Sequence, residues 1–348
     1  MTGVLAESVP GRKLQYLVSQ TLAKLGRNLS DFRAARVRQI PNGVLSGCRL
    51  CPRECGVDRA SDRLGYCKAG SRPRIFRFGP HHGEEPPISG TRGSGTIFFS
   101  RCTLRCIYCQ NYPWSQQGGG EEYDTDGLCG MLRQLSAQGC HNWNLVSPTP
   151  WLPWIFEAIE RVKEDGIRLP VVYNTSGFEK EETLSELDGK VEIYLTDLRY
   201  ADPATAANAS DARNYVGIAR NALKEMWRQT GPLQVDKAGI AVRGTICRVL
   251  ILPGHAGEAV DNLRWLAGEI GPGVAVSVMS QYLPTHKAIG QAPWGRRISR
   301  AEHDTVTEAL RETGLENGWT QEYCMETPDD LVGWKMEASN AIDMEKKA

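Results

Sequence analysis

Three cysteines on one short run, Cys102, Cys106 and Cys109, are spaced C-x3-C-x2-C. Three thiolates that close in sequence can take three corners of a cubic [4Fe–4S] cluster and leave one iron without a protein ligand. An open iron is a place for chemistry, whereas a fully ligated cluster mainly carries electrons. A zinc site with a distant fourth ligand is the other chemistry such spacing allows. The flanking sequence favours the cluster. The preceding run from Gly95 to Ser100 is β-branched and aromatic and reads as a short buried strand. A strand that delivers a loop at its carboxyl end is where an α/β barrel keeps its chemistry.

A second set, Cys48, Cys51, Cys55 and Cys67, follows the pattern C-x2-C-x3-C-x11-C. Four thiolates close a tetrahedron about zinc or bind an auxiliary iron–sulfur cluster, and the spacing leaves both open. Loops rich in Arg, Asp and Gly surround this set and cannot build a core, so a metal staple is expected. Between the two sets lie His81, His82, Glu84 and Glu85. Of these, His82, Glu84 and Glu85 are candidates for a proton shuttle or a substrate grip, because His and Glu together span neutral pH.

The elements that must position these residues show in the rhythm of the chain. Strands are predicted at 96–100, 143–147, 171–174, 191–196, 246–252 and 274–279. Helices are predicted at 127–138, 151–165, 180–187, 211–230, 258–269 and 300–313. Six β/α units with largely apolar strands imply a parallel sheet covered by helices. The fold expected is α/β, a partial (β/α)6 TIM-like barrel over 96–325. A Cys-rich metal-binding module with a connecting loop precedes it at 48–95. Two basic helices, 11–23 and 29–38, form an N-terminal arm within 1–47, and a polar tail occupies 326–348.

Composition narrows the function. The chain has 348 residues, 41% hydrophobic and 24% charged, with 41 Lys and Arg against 41 Asp and Glu. That balance gives no positive field to gather nucleic acid, and no apolar run approaches the ~20 residues of a membrane span. Eleven cysteines beside an N-terminus without a basic-then-apolar leader pattern suggest metal ligation in a reducing cytoplasm rather than disulfides. Cys129, Cys140, Cys247 and Cys324 read as small buried hydrophobes.

The loop from Cys102 to Cys109, with Tyr108 before the third cysteine, resembles the radical S-adenosylmethionine (SAM) superfamily. Further runs resemble its PflX-like group, similar to pyruvate formate-lyase activating enzyme: Cys48-x2-Cys51-Pro52, Glu84-Glu85-Pro86, Gly93 to Phe99, and Met279-Ser280-Gln281-Tyr282. The resemblance covers residues 48 to about 323. It implies a radical SAM barrel, a [4Fe–4S] cluster on Cys102, Cys106 and Cys109, and SAM bound at the open iron. It further implies one-electron cleavage of the sulfonium to a 5′-deoxyadenosyl radical, hydrogen abstraction from a protein substrate, and an external reductant such as flavodoxin or ferredoxin.

The strand ends are the implied SAM contacts. The Gly-Gly-Glu-Pro of the superfamily is replaced at the second strand by Ser147-Pro148-Thr149-Pro150, which supplies hydroxyls but no charge. The third strand offers Asn174 and Ser176, the fourth Asp197 and Arg199, and the sixth Gln281 and Tyr282 near the adenine. Tyr108 completes the set. In the fifth strand Arg248 stands in an apolar run, is costly there unless paired, and is the candidate for the SAM carboxylate, with Arg243 competing. Two other readings remain: a radical SAM enzyme acting on a small molecule or peptide, and an iron–sulfur electron-transfer or sensor protein.

Overall fold

The computed structural model describes residues 45–323. The arm helices, Cys324 and the C-terminal tail expected from the sequence lie outside these residues. Ten strands run in the order β1 Arg74–His81, β2 Ser94–Phe99, β3 Glu121–Glu122, β4 Trp143–Val146, β5 Val171–Thr175, β6 Ile193–Asp197, β7 Gln234–Val235, β8 Ala241–Leu250, β9 Ala275–Met279 and β10 Gly318–Thr320. The sheet order is β10-β9-β8-β6-β5-β4-β2-β1-β3, with β7 paired to β8. From β2 to β10 every pairing on this path is parallel and follows chain order without reversal. A sheet wound in one direction keeps its helices on one face and curls around the other, which is how a barrel grows. This is an open α/β barrel.

Alternation along the strands shows the curl. In β8 and β9, Cys247, Val249, Val276 and Val278 pack into the helix-side core. Their neighbours Arg248, Ser277 and Met279 line a cavity on the inner face. Deeper inside, Val172, Ile193, Leu195, Ile246 and Ala275 meet Ile88, which plugs the interior. The outer helices carry amphipathic stripes. Leu152–Glu164 buries Leu152, Trp154, Ile155, Phe156, Ala158, Ile159 and Val162 on one side. Arg300–Glu312 opens with a capping box between Ser299 and Glu302.

All six predicted strands form, and the differences have local causes. The segment 71–95, expected to be a connecting loop, contributes β1, which pairs antiparallel with β2 from Ile75 to His81. Only Ile75 of β1 is buried, so the strand carries little apolar signal. Residues 45–323 fall within one compact unit, and no domain boundary separates the cysteine module from the barrel. The helix expected at 211–230 forms at Tyr215–Thr230, after a separate helix, Pro203–Ser210. Asp202 caps that earlier helix through Ala204, and Asp211 ends it in the left-handed region at φ 53°. No described helix is long and apolar enough to cross a membrane.

Candidate active site

The loop after β2 is held open by bonds to its neighbours. Trp151 Nε1 donates to Ser100 O at 2.8 Å, and Ile107 N donates to Ala209 O at 2.8 Å. Arg101, the residue before the first cysteine, sits in the left-handed region at φ 75°. Each thiol has a hydrogen-bonding neighbour. Leu104 N lies 3.5 Å from Cys102 Sγ, Ser115 Oγ 3.3 Å from Cys109 Sγ, and Ser210 Oγ and Arg199 Nη1 2.9 and 3.0 Å from Cys106 Sγ. Burial, with the neighbouring thiols, pushes Cys102 up to about 12 and Cys109 up to about 11. Thiols this reluctant to ionise need a metal to displace their protons.

All three thiols face one cavity of about 310 Å³. Among the described residues no three His, Cys, Asp or Glu side chains gather tightly enough to hold a single ion. Three thiolates spread around an opening suit a polynuclear cluster, in which separate irons each take one sulfur. Donors aimed at each sulfur are the environment such clusters use to set their potentials.

Opposite the thiols the inner face of the sheet is polar. Arg248 grips Glu85 in a fork, Nε to Oε1 and Nη2 to Oε2, both 2.7 Å. The same guanidinium pairs with Glu84 and donates to Asn174 Oδ1 at 3.3 Å. Asn144 Nδ2 donates to Glu84 Oε1 at 2.9 Å. Burial pulls Arg248 down, but Glu85 and Glu84 outweigh it and hold the guanidinium well above its ordinary value. Arg248 is therefore not the unpaired strand cation the sequence suggested. The residues that satisfy it arrive from the turn before β2, 163 positions away in the case of Glu85.

Nearer the cysteines, Arg199 binds Asp197 through Nε at 2.9 Å and Nη2 at 2.5 Å while reaching Cys106. Burial lowers Arg199, and Asp197 with Cys106 more than offsets this. Ser147 closes the wall in the left-handed region at φ 57°, its N–H bonded to Asn174 O at 2.9 Å. A non-glycine residue held there is strained, and such strain collects at ligand sites.

One acid was missed. Glu179, 2% exposed, lies behind Ser147 and Cys102 in a narrow crevice. Thr149 Oγ1 donates to its Oε1 at 2.7 Å, Thr175 Oγ1 donates to the same oxygen, and Tyr173 OH reaches Oε2 at 3.3 Å. Burial without a cation raises Glu179 to about 7, against the lowering effect of these hydroxyls. The signal was Gly177, where a Cβ would lie 2.4 Å from Asp197 O. At φ 79° and this close to the end of β6, only glycine fits there, two residues before Glu179.

Comparisons with known proteins come from sequence and from chain trace. No protein-family profile matches the chain. The uncharacterized protein MJ0674 of Methanocaldococcus jannaschii is 25% identical over 297 residues, 83% of this chain and 80% of that protein. Among solved structures, native anSMEcpe with bound AdoMet superposes with a TM-score of 0.40 at 10% identity, over 66% of this chain and 59% of that one. The [FeFe]-hydrogenase maturase HydG of Carboxydothermus hydrogenoformans gives 0.44 at 15%, over 67% and 53%. A domain of pyruvate-formate lyase-activating enzyme from Bacteroides vulgatus gives 0.34 at 16%, over 49% and 90%. The match spans just over half of anSMEcpe and of HydG.

The cavity gathers most of the residues singled out in the sequence: the three cysteines, Glu84, Glu85, Ser147, Asn174, Ser176, Asp197, Arg199, Arg248 and Gln281, with His81 and Met279. Five others lie elsewhere. Tyr108 is buried beneath the loop, stacked on Trp294 at 5.6 Å with its hydroxyl 2.5 Å from that of Tyr200. Tyr282 is buried beside it and donates to Trp294 O at 2.7 Å, so it does not face a base in the cavity. Thr149 is turned toward Glu179. His82 is exposed, and His81 is the histidine that faces inward. Arg243 lies near the amino end of β8, paired with β7 and bonded to Gln229 O, far along the strand from the cavity. Cys129, Cys140 and Cys247 are buried, as expected.

Proposed function

We propose that this chain is a radical SAM enzyme. The observation that carries the reading is one loop presenting three thiols to a cavity walled by the inward residues of the parallel strands. Cys102, Cys106 and Cys109 would hold a [4Fe–4S] cluster, with Arg199, Ser210 and Ser115 donating to the thiolates. Once reduced and with SAM bound, that cluster would supply the one-electron chemistry that turns the sulfonium into methionine and a radical able to take a hydrogen atom from an unreactive C–H bond. The chain's own residues bind, orient and exclude water. Asn174, Ser147 and Ser176 offer hydrogen bonds beside the thiols, Gln281 and Met279 a polar and an apolar contact at the far rim. Glu84, Glu85 and Arg248 form a fixed charged wall.

The size of the cavity supports a protein substrate. About 310 Å³ is at the low end for sites that hold a single small molecule. The cluster and SAM together would fill that room, and the reacting C–H group would then be presented at the mouth, as by a loop of a glycyl-radical enzyme. A flavodoxin- or ferredoxin-like protein supplies the electron. The test is anaerobic incubation of iron-reconstituted protein with SAM and dithionite, followed by mass spectrometry for 5′-deoxyadenosine. Formation by the parent and none by Cys106→Ala supports the reading. Equal formation by both overturns it.

A further inference from the structure

The second cysteine set lies against one buried and one half-buried arginine, neither of them paired with a carboxylate among the described residues. Cys48, Cys51, Cys55 and Cys67 line one small cavity with Arg53 and Arg59. Arg59 is 1% exposed. It donates to Gly70 O at 2.9 and 2.7 Å and to Pro150 O at 2.7 Å, and its Nη1 lies 3.9 Å from Cys48 Sγ. Its guanidinium sits 5.0 Å over the Trp151 ring. Arg53 donates from Nε to Thr103 O at 3.1 Å, while its Nη2 is buried without an acceptor. Neither arginine forms an ion pair with a carboxylate of the described residues. Arg59 is buried with its nitrogens bonded to carbonyls, Arg53 is half-buried with its guanidinium 3.7 Å over the Tyr66 ring, and the orphaned Arg53 Nη2 beside four thiols marks where an acceptor is missing.

The backbone around the cavity is shaped for sulfur. A Cβ on Gly65 would lie 2.4 Å from Cys55 Sγ, so glycine there leaves room for the thiol, which belongs to the exposed edge of the set. Cys48 N bonds Val57 O, and Gly56 N bonds Cys48 O, both at 3.0 Å, which brings the first and third cysteines of the set together. A structural zinc ion draws four sulfurs to about 2.3 Å of one point. Here the thiols ring a space, and no three ligand side chains among the described residues converge on a single ion. Donors poised toward sulfur are the usual surroundings of iron–sulfur clusters.

We infer that Cys48, Cys51, Cys55 and Cys67 ligate a second iron–sulfur cluster, with Arg53 and Arg59 as its charge-compensating donors. The four thiolates would bring the negative charge that the arginines lack, and a sulfur of the site would serve as acceptor for Arg53 Nη2. The site is independent of the first: its four thiols complete its ligation, and it has no cavity for a substrate. It does adjoin the first, because Arg53 binds the carbonyl of Thr103, the residue after Cys102.

The test uses the full chain carrying Cys102→Ala, Cys106→Ala and Cys109→Ala, which removes the catalytic ligands. After anaerobic reconstitution with iron and sulfide, this protein is expected to retain about four irons and equivalent acid-labile sulfide, with a Mössbauer signal of a cluster. One zinc and no iron would overturn the inference in favour of a structural ion, and no metal would overturn it outright. Neither result touches the catalytic reading, which is tested by 5′-deoxyadenosine from the parent. In the same background, Arg53→Met should lower the midpoint potential of the remaining cluster, since a cation favours the more negative reduced state. An unchanged potential would remove Arg53 from the site. Arg53 is the better probe because Arg59 is deep enough that its loss also threatens folding.

Discussion

The two cysteine-bearing regions sit on opposite sides of a thin wall, formed in part by Thr103, Thr149 and Pro150, and are built for different work. The loop of Cys102, Cys106 and Cys109 has three thiols, opens on a cavity of about 310 Å³ and faces side chains drawn from the whole inner sheet. The module of Cys48, Cys51, Cys55 and Cys67 has four thiols, two arginines against it and only a small cavity between them. One set lacks a ligand and has room for a small molecule, and the other has its full count and no room for a substrate beside its metal. Ligand number and open volume together separate a reactive site from a closed one.

The sharpest way to break this contrast is to remove each set in turn. Cys102→Ala, Cys106→Ala or Cys109→Ala should abolish 5′-deoxyadenosine formation, a loss of at least about 10³-fold, equivalent to about 4 kcal/mol of barrier. Replacing all four of Cys48, Cys51, Cys55 and Cys67 should leave the first cluster's electron paramagnetic resonance response to SAM in place. If that response vanished while the protein stayed folded, the two regions would be one site.

The next effect concerns the charged wall that only the first region has. Arg248→Ala leaves Glu84 and Glu85 buried, 7% and 5% exposed at the side chain, without their cation. Removing one member of such a group costs about 3–5 kcal/mol. A clear drop in melting temperature is expected, with recovery when Glu84→Gln and Glu85→Gln are added. A parent-like melting temperature with SAM affinity reduced more than tenfold would instead make Arg248 a ligand contact first and a structural cation second.

That pairing shows where sequence reading reached and where it stopped. Periodicity located all six core strands, and cysteine spacing located both sets, because these signals are local. Arg248 was recognised as needing an anion, but its partners come from a turn on the far side of the barrel, and only closure of the sheet brings them together. The resemblance places Tyr108, the aromatic before the third cysteine, and Tyr282, in the run from Met279, at the cofactor, but a motif gives an aromatic residue's position and not the way its ring faces. Their direction depends on backbone turns that spacing does not encode. Glu179 lay outside any recognised motif, and its significance comes from being buried among three hydroxyls without a cation. The strand β1 escaped because its pattern is that of a half-buried outer strand.

Glu179 stands behind the wall between the two regions and gives a pH test. Its carboxyl sits at about 7 in the folded chain against an ordinary 4.5. Below about 4.5 both folded and unfolded chains are protonated there. Between 4.5 and about 7 only the folded chain keeps the proton, so its contribution to stability falls as pH rises through that window, then levels off. At about 1.36 kcal/mol per pH unit the change amounts to about 3 kcal/mol. Glu179→Gln keeps the hydroxyl partners and cannot ionise, so its stability should decline less steeply from pH 4.5 to 7 when the two proteins are melted side by side. Parallel curves would show that the carboxyl stays ionised throughout, with a counter-charge in reach.

The smallest effect separates the two sides of the first loop. Its cavity side carries the thiols, and its core side carries Tyr108, packed on Trp294 and bonded to Tyr200. Tyr108→Phe removes one hydroxyl from a buried chain of three, Tyr108–Tyr200–Ser210. Tyr200 keeps Ser210 as a partner, so no donor is orphaned and the cost is about 1 kcal/mol, or roughly 2 °C in melting temperature. SAM affinity, measured by titrating the reconstituted cluster, should not change. Ser210 also donates to Cys106 Sγ, so a shift in cluster potential without a shift in affinity would mean that the core side tunes the thiolates through this chain. A fall in SAM affinity greater than the fall in stability would put Tyr108 back on the cofactor wall, and the division between a reactive face and a supporting face of this loop would fail.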